Sequence, residues 1–293
     1  MKICFVLPTY NDEASLKELI LKIKKILEKF SLYFIIVNDC SKDDFRSLSN
    51  ISKIDLITLN KNQGSQKAIS IGLDYIFDKK IDFDYLIVMD SDGEDKPEDL
   101  KLLIEESKKY SNNFIVFASR RKRSETTIFK FFYVIYKFIF KTLTGKKINF
   151  GNFSCVPKIF LEDIVNTPLV DFHYSAAIIK SKNKYKSVPC NKGKRYTGKS
   201  KMSFFNLFFH GMKSLSIFRR EIFIRFLFYY LIVNCIFLFS IEANMIIKLN
   251  FVILSFFSIF FLYLNNLISK RFNKNDLIKN LNHNRLIKDI KSL

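Results

Sequence analysis

Five short apolar runs are spaced along the first 118 residues: Ile3–Leu7, Tyr33–Val37, Asp55–Leu59, Tyr85–Met89 and Phe114–Ala118. Each is rich in β-branched or aromatic side chains and bounded by polar turns, the pattern of a buried strand. Between them the period changes. Leu16, Leu19, Ile20, Ile23, Ile26 and Leu27 recur at helical spacing within Glu13–Lys29, and Ser65–Phe77 and Pro97–Tyr110 also read as helices. Pro97 suits a first helical turn because its missing N–H needs no partner there. The alternation predicts an α/β fold, a mostly parallel sheet with helices on both faces. Ligands of such sheets collect beyond the carboxyl ends of the strands. Pro8-Thr9-Tyr10-Asn11-Asp12, Asn38-Asp39-Cys40-Ser41 and Asp90-Ser91-Asp92 all fall there.

After residue 118 the pattern changes. In Phe129–Leu143, Lys130, Lys137 and Lys141 share one helical stripe, and Phe131, Phe132, Val134, Ile135, Phe138, Ile139 and Leu143 supply most of the rest. This reads as a helix lying in a membrane interface, its basic edge toward headgroups; a core helix with a solvated Lys edge is the competing reading. Phe204–Phe218 is a second such candidate. Two longer stretches follow, Ile222–Ile241 with only Arg225 charged and Phe251–Ile268 with no charge. At ~1.5 Å per residue they span about 30 and 27 Å, near the thickness of a bilayer's hydrocarbon core. Joined by Glu242–Asn250 as a turn, they predict a transmembrane hairpin. Arg219, Arg220 and Arg225 precede it, and Lys270, Arg271 and Lys274 follow, so both ends are expected on the cytoplasmic side. The expected organisation is a catalytic part over 1–218 (halves 1–118 and 119–218), the hairpin over 219–268 and a basic tail over 269–293.

Charge sharpens this division. Residues 1–118 hold 17 Lys+Arg against 20 Asp+Glu, while 119–293 hold 31 against 8, so the net charge of +20 comes from the second part. A basic surface suits nucleic acid or anionic lipid. The basic part is also the apolar part, which favours membrane lipid and argues against nucleic acid. Five scattered cysteines show no C-x-x-C pair, so neither a disulfide framework nor a zinc site is expected. The opening apolar stretch is too short for a signal peptide, so the catalytic part is expected in the reducing cytosol.

Asp90 and Asp92 stand where the fourth strand leaves the sheet. Hard carboxylate oxygens suit Mg²⁺ or Mn²⁺, which one or two carboxylates hold together with substrate phosphates. Asp-x-Asp alone is common in solvated loops, and its neighbours in sequence give it meaning. Pro8-Thr9-Tyr10-Asn11-Asp12 is similar to a Pro-x-Tyr-Asn-Glu opening. Val37-Asn38-Asp39-Cys40-Ser41-Lys42-Asp43 is similar to an Asp-Asp-x-Ser-x-Asp turn, with Asn38 in place of the first Asp. Asn62-Gln63-Gly64-Ser65-Gln66-Lys67-Ala68 is similar to an Asn-x-Gly-x-x-x-Ala segment, and Arg195-Tyr196-Thr197-Gly198-Lys199-Ser200-Lys201 to an Arg-x-x-Gly-x-Ser-Lys loop. With these motifs in this order the chain resembles the family 2 glycosyltransferases, especially the branch of dolichyl-phosphate mannose synthase and bacterial polyprenyl-phosphate glycosyltransferases. The resemblance runs from Ile3 to about Phe218 and on through the hairpin.

The resemblance implies a GT-A fold and these roles. Pro8, Tyr10, Asp12, Val37 and Asp39 would hold the base and ribose of a nucleotide-diphosphate sugar. Asp90, Ser91 and Asp92 would meet the sugar nucleotide, and Asp90, Asp92 and Glu94 the Mg²⁺ or Mn²⁺, Glu94 standing where relatives use Gln. Arg120 would contact donor or acceptor phosphate. Arg195 and Lys201 would close from a mobile loop on diphosphate or lipid phosphate. The implied acceptor is a polyprenyl phosphate, the transfer inverting, and an oligomer compatible with it.

Neither Glu162-Asp163, on a helix over Phe160–Asn166, nor Asp171 is a convincing general base. A phosphate acceptor, already anionic, needs none; should the acceptor be a hydroxyl of a lipid-linked polysaccharide or lipopolysaccharide intermediate, Asp171 is the reserve candidate. His173 and His210 read as packing residues. Ile148–Ser154 resembles a segment lining the acceptor side, with no chemical role assigned. An inactive membrane scaffold is the remaining alternative. A dinucleotide dehydrogenase is set aside because no Gly-x-Gly-x-x-Gly follows the first strand.

Overall fold

The structure is a computed structural model and describes residues 1–51, 53–120, 127–167, 169–181, 183–198, 204–237, 243–269, 283 and 286–293. The chain divides into two compact units, Met1–Glu125 with Asn149–Lys201 and Ile278–Leu293, and Thr126–Ile148 with Met202–Leu277.

In the first unit the five expected strands form as β1 (Lys2–Thr9), β2 (Ser31–Asn38), β3 (Ile54–Leu59), β4 (Tyr85–Val88) and β5 (Ile115–Arg120). Helices α1 (Glu13–Ile26), α2 (Ser65–Asp78) and α3 (Leu100–Lys109) lie between them, α3 opened by a 3-10 turn at Pro97–Asp99. Strands β3, β2, β1 and β4 are parallel neighbours, as βαβ connections require. The sheet as a whole is mixed. Strand β6 (Phe150–Pro157) inserts antiparallel between β4 and β5, and β7 (Tyr185–Cys190) pairs parallel to β5 at one edge. At the other edge β8 (Ile287–Ser292) runs antiparallel to β3, so the order is β7-β5-β6-β4-β1-β2-β3-β8.

Side-chain alternation along β1 explains why helices cover both faces. Ile3, Phe5 and Leu7 pack with Leu16, Leu19, Ile20 and Ile23 of α1 and with Leu100, Leu103 and Ile104 of α3. Val6 faces the other way onto α2. A Cβ added at Gly72 of α2 would stand 2.8 Å from Val6 Cγ1, so this helix sits close against the sheet. Two short helices complete the unit, α5 (Leu161–Val165) and α6 (Tyr174–Lys180).

The second unit contains α4 (Thr127–Thr144), α7 (Phe204–Ile217), α8 (Arg219–Phe237) and α9 (Ala243–Ser269). Phe140 meets Phe218 edge-on, and Tyr136 shares a hydrogen bond with Ser214. Phe132, Val134, Ile135, Phe138 and Ile139 leave a broad exposed apolar face on α4. Helices α8 and α9 are antiparallel. Phe223 meets Phe261, Phe226 stacks on Phe257, and Asn250 donates to Asn234, so the paired positions advance in opposite directions. The expected turn over Glu242–Asn250 is corrected: residues 243–250 belong to α9. The segment has no Gly or Pro to stop a helix. Among the described residues one helix, Met245–Ser269, is long and apolar enough to cross a membrane.

Candidate active site

Beyond the carboxyl ends of β1, β2 and β4 lies a cleft of about 230 Å³, lined by Pro8, Thr9, Tyr10, Asp12, Asp39, Ser65, Asp90, Ser91, Asp92 and Arg195. Three loops from three strands meet here because parallel strands end at one level. Their conformations are fixed by polar side chains. Asn11 and Cys40 adopt positive φ, 49° and 63°. Asn11 donates its N–H to Ser41 Oγ and accepts from the Lys42 N–H, both at 2.8 Å, tying the β1 loop to the β2 loop. Asn38, where the motif expects Asp, accepts the Ser41 N–H at 2.8 Å and so still closes the turn.

Asp39 is buried, and its two carboxylate oxygens accept the N–H groups of Gln63 and Gly64 at 2.6 and 2.7 Å. Burial raises its pKa above the usual carboxylate range, and those two donors oppose the shift. The Asn-Gln-Gly segment thus acts as a clasp on Asp39, and Ser65 follows it onto the cleft wall.

Residues 192–197 lie across the Asp90–Asp95 loop. Arg195 spans two walls, its Nη1 donating to Asp92 Oδ2 at 2.8 Å and its Nη2 to Asp12 Oδ2 at 2.7 Å. Thr197 adds a bond to Asp12 at 2.9 Å. The backbone N–H groups of Gly193 and Tyr196 donate to the carbonyls of Glu94 and Asp92. Two glycines allow this contact. Gly93 has φ +86° and would drive a Cβ to 2.6 Å from the Tyr196 ring; a Cβ on Gly193 would fall 2.4 Å from the Gly93 carbonyl. Residues 192–197 thus form a strap, and Lys22 Nζ of α1 sits over its Tyr196 ring, 3.9 Å from the ring centroid. Burial raises the Asp92 pKa, with the Glu94 N–H and the Arg195 charge acting against it.

Asp90 is held from two directions. Its N–H donates to Asp95, and its Oδ1 accepts from Asn152 Nδ2 at 3.4 Å. Asn152 Oδ1 accepts from Gln66, whose Oε1 in turn accepts the Tyr174 N–H at 2.6 Å. Asn152 and Gln66 are therefore functional candidates that sequence reasoning did not single out. Both lie inside segments matched as motifs, at positions given no chemical role.

The remaining expected residues are placed as follows. Val37 is fully buried in β2 and is not among the cleft's lining residues. Glu94 lies beside the cleft with its carboxylate 2.8 Å from Lys192. Asp171 is buried and bound to Lys67 at 2.9 Å. His173 caps α6 by accepting from the Ala176 N–H, and His210 is half-buried in α7 with its pKa pushed down to about 4 by desolvation and Lys213. The Arg120 side chain and Lys201 lie outside the described residues.

Among the described residues no group of three His, Cys, Asp or Glu side chains is gathered closely enough to form a metal site by itself. Asp90 and Asp92 do line one cleft. Two carboxylates completed by substrate phosphate oxygens is an ordinary Mg²⁺ arrangement, so the donor set fits.

Residues 4–165 match the profile described as Glycosyl transferase family 2. The uncharacterized glycosyltransferase YkcC of Bacillus subtilis is 34% identical over 133 residues, 43% of this chain and 39% of that protein. An undecaprenyl-phosphate 4-deoxy-4-formamido-L-arabinose transferase of Salmonella choleraesuis is 27% identical over 219 residues, 70% of this chain and 64% of that one. The chain thus spans less than two thirds of these curated relatives' length. Among solved structures, glucosyl-3-phosphoglycerate synthase of Mycobacterium tuberculosis, with Mn²⁺, UDP-glucose and phosphoglyceric acid, superposes at a TM-score of 0.55 and 13% identity. That match covers 75% of this chain and 79% of the other. Mannosyl-3-phosphoglycerate synthase of Rubrobacter xylanophilus gives 0.54 and 13%, covering 77% and 74%. These two share the GT-A fold.

Proposed function

The chain belongs to glycosyl transferase family 2, and we propose that it moves a sugar from a nucleotide-diphosphate sugar to a polyprenyl phosphate, with inversion. The observation that carries this is the convergence of Asp12, Asp39, Asp90, Asp92 and Arg195 on one cleft at the strand ends.

Pro8, Tyr10, Asp12 and Asp39 bind the nucleoside. Val37, inside the sheet, supports Asp39 from β2 without touching the ligand. Asp90 and Asp92 would hold Mg²⁺ or Mn²⁺, which when bound neutralises charge on the departing diphosphate. Glu94 would join them only by releasing Lys192. A phosphate oxygen of the acceptor attacks the anomeric carbon as the bond from that carbon to the diphosphate oxygen breaks, and the electron pair leaves with the nucleoside diphosphate. No proton need be removed from the nucleophile. The state of Asp171 agrees with that: the candidate base for a hydroxyl acceptor is buried and already salt-bridged to Lys67. Arg195 exchanges Asp92 for diphosphate oxygens, its planar fork suiting two phosphate oxygens at once. Arg120 and Lys201 add cationic contacts to donor or acceptor phosphate.

The acceptor's lipid would be reached through a membrane hairpin of α8 and α9. Chain topology supports this. Strand β8 belongs to the same sheet as β1, so a chain leaving this unit at 201 and returning by 278 crosses a bilayer an even number of times. Helix α9 supplies one crossing, and α8, antiparallel to it and without charge after Arg225, supplies the other. Arg219, Arg220 and Arg225 at the start of α8, with the basic residues that follow α9 in sequence, favour the cytoplasmic side for the active site.

The test is transfer of label from a panel of nucleotide sugars into the organic phase, with and without added polyprenyl phosphate. Acceptor-dependent transfer that is lost in Asp92→Asn is expected. Label that remains entirely in the aqueous phase for every donor would overturn the reading.

A further inference from the structure

His283 and residues 286–293 belong to the catalytic unit and make contacts that the reaction described above does not use. We infer that this segment is a positioning element of the donor site, and that His283 is its principal positioning residue. The inference rests on the proposed donor binding and adds a part to it.

Helix α2 carries Asp74, which is buried, and Asp171 is buried beside the same helix's Lys67. Buried carboxylates are strongly unfavourable unless each finds a partner. Lys67 takes Asp171. His283, itself 2% exposed, pairs through Nδ1 with Asp74 and brings Nε2 to 3.9 Å from Asp171. The tail thus supplies the polar partner that Asp74 needs where α2 packs. The first residue of α2 is Ser65, on the cleft wall directly after the Gln63–Gly64 clasp on Asp39.

The second contact runs along β3. Without β8 this would be an edge strand, with a row of unpaired backbone groups. β8 pairs along it from Asp55 to Leu59, and Ser292 donates to Asp55, which also accepts from the hydroxyls of Tyr33 and Tyr75. The pairing ends where the Asn60 N–H donates to the Leu286 carbonyl at 2.9 Å. Asn60 opens the loop whose Gln63 and Gly64 N–H groups clasp Asp39, and Asn62 donates to the Asp39 carbonyl. The tail therefore fixes both sides of this loop, β3 before it and α2 after it. A tail that loosens would free the clasp, and Asp39 would lose its aim while Asp92 and Arg195 stayed in place.

The experiment uses the full chain in detergent. Isothermal titration with UDP, GDP and CDP in turn identifies the nucleotide bound, and steady-state transfer then gives donor KM and kcat. Two variants are compared with wild type: His283→Ala, and a deletion of 287–293 that retains His283. Both are expected to bind the nucleotide at least about tenfold more weakly and to raise donor KM by a similar factor, with kcat at saturating donor within about threefold. His283→Asn, whose amide N–H stands where imidazole Nδ1 does, should restore KM to within about threefold of wild type. Unchanged donor KM in both loss variants, or a fall in kcat with KM unchanged, overturns the inference while leaving donor binding intact. Should His283→Ala fail to fold, the deletion decides by the same readings. A wild type that binds none of the nucleotides removes the donor reading and this inference with it.

Discussion

Replacing Arg195 probes the point where the strap and the cleft walls meet. Its guanidinium makes two charge-assisted hydrogen bonds, at 2.8 Å to Asp92 and 2.7 Å to Asp12, and its side chain is 19% exposed. Hydrogen bonds to charged groups contribute about 1.5–3 kcal/mol each, so the two together are gross about 3–6 kcal/mol. Water reaching a partly open site recovers some of that, leaving about 2–3 kcal/mol. If the same guanidinium holds diphosphate in the transition state, Arg195→Ala should lower kcat/KM on the order of a hundredfold. Lys places a single point charge and reaches one wall, so Arg195→Lys should recover a minority of the loss. The assay is transfer of labelled sugar into the organic phase across a donor series, with thermal melting as the control for folding. An Arg195→Ala enzyme that melts like wild type and keeps kcat/KM within about threefold would refute the reasoning.

Other expectations follow from the same geometry. Burial raises the Asp92 pKa, so its ionised form is less favourable in the folded state than in the unfolded chain. That penalty is complete above the raised value and vanishes below the ordinary carboxylate range; hence Asp92→Asn should melt no lower than wild type at neutral pH while losing turnover, with the difference shrinking as pH falls through that window. A lower melting point at neutral pH would contradict this. Excess chelator should abolish transfer and Mg²⁺ or Mn²⁺ should restore it; undiminished activity in chelator would remove the metal from the account. Asn152→Ala breaks the link between Gln66 and Asp90 and should reduce kcat by about tenfold, at ~1–1.5 kcal/mol for a polar hydrogen bond, whereas an unchanged kcat would make that link structural only. Cys40 and Cys235 are the exposed thiols, one beside the cleft and one on α8. In sealed vesicles with the cytoplasmic face outward an impermeant maleimide should label Cys40 and spare Cys235, and bound nucleotide should protect Cys40. Labelling of Cys235 under those conditions would refute the hairpin.

Much of the fold of residues 1–118 was legible because buried parallel strands are written as continuous apolar runs and their helices as a 3.6-residue period. Strands β6 and β7 escaped that reading. Phe150–Pro157 mixes Gly, Asn and Ser with its apolar positions, and Tyr185–Cys190 interleaves Lys, Ser and Pro. Strand β8 was hidden more thoroughly, since Ile-Lys-Asp-Ile-Lys-Ser at a sheet edge has a mostly exposed surface and reads as solvated tail. The extent of α9 was missed for the opposite reason: Glu242, Lys248 and two Asn residues made a helical stretch look like a turn. At the site, the motifs marked which residues gather, but pairings are long-range facts. Arg195 meets Asp12 across 183 positions and Lys67 meets Asp171 across 104, and no local period encodes either.

The claim that a phosphate oxygen is the nucleophile is tested most directly by mild acid treatment of the lipid product formed from labelled donor and polyprenyl phosphate. A sugar joined through its anomeric carbon to phosphate should be released as free sugar, leaving polyprenyl phosphate behind. A product that survives mild acid, or one that forms equally well when polyprenyl phosphate is omitted, would contradict the account.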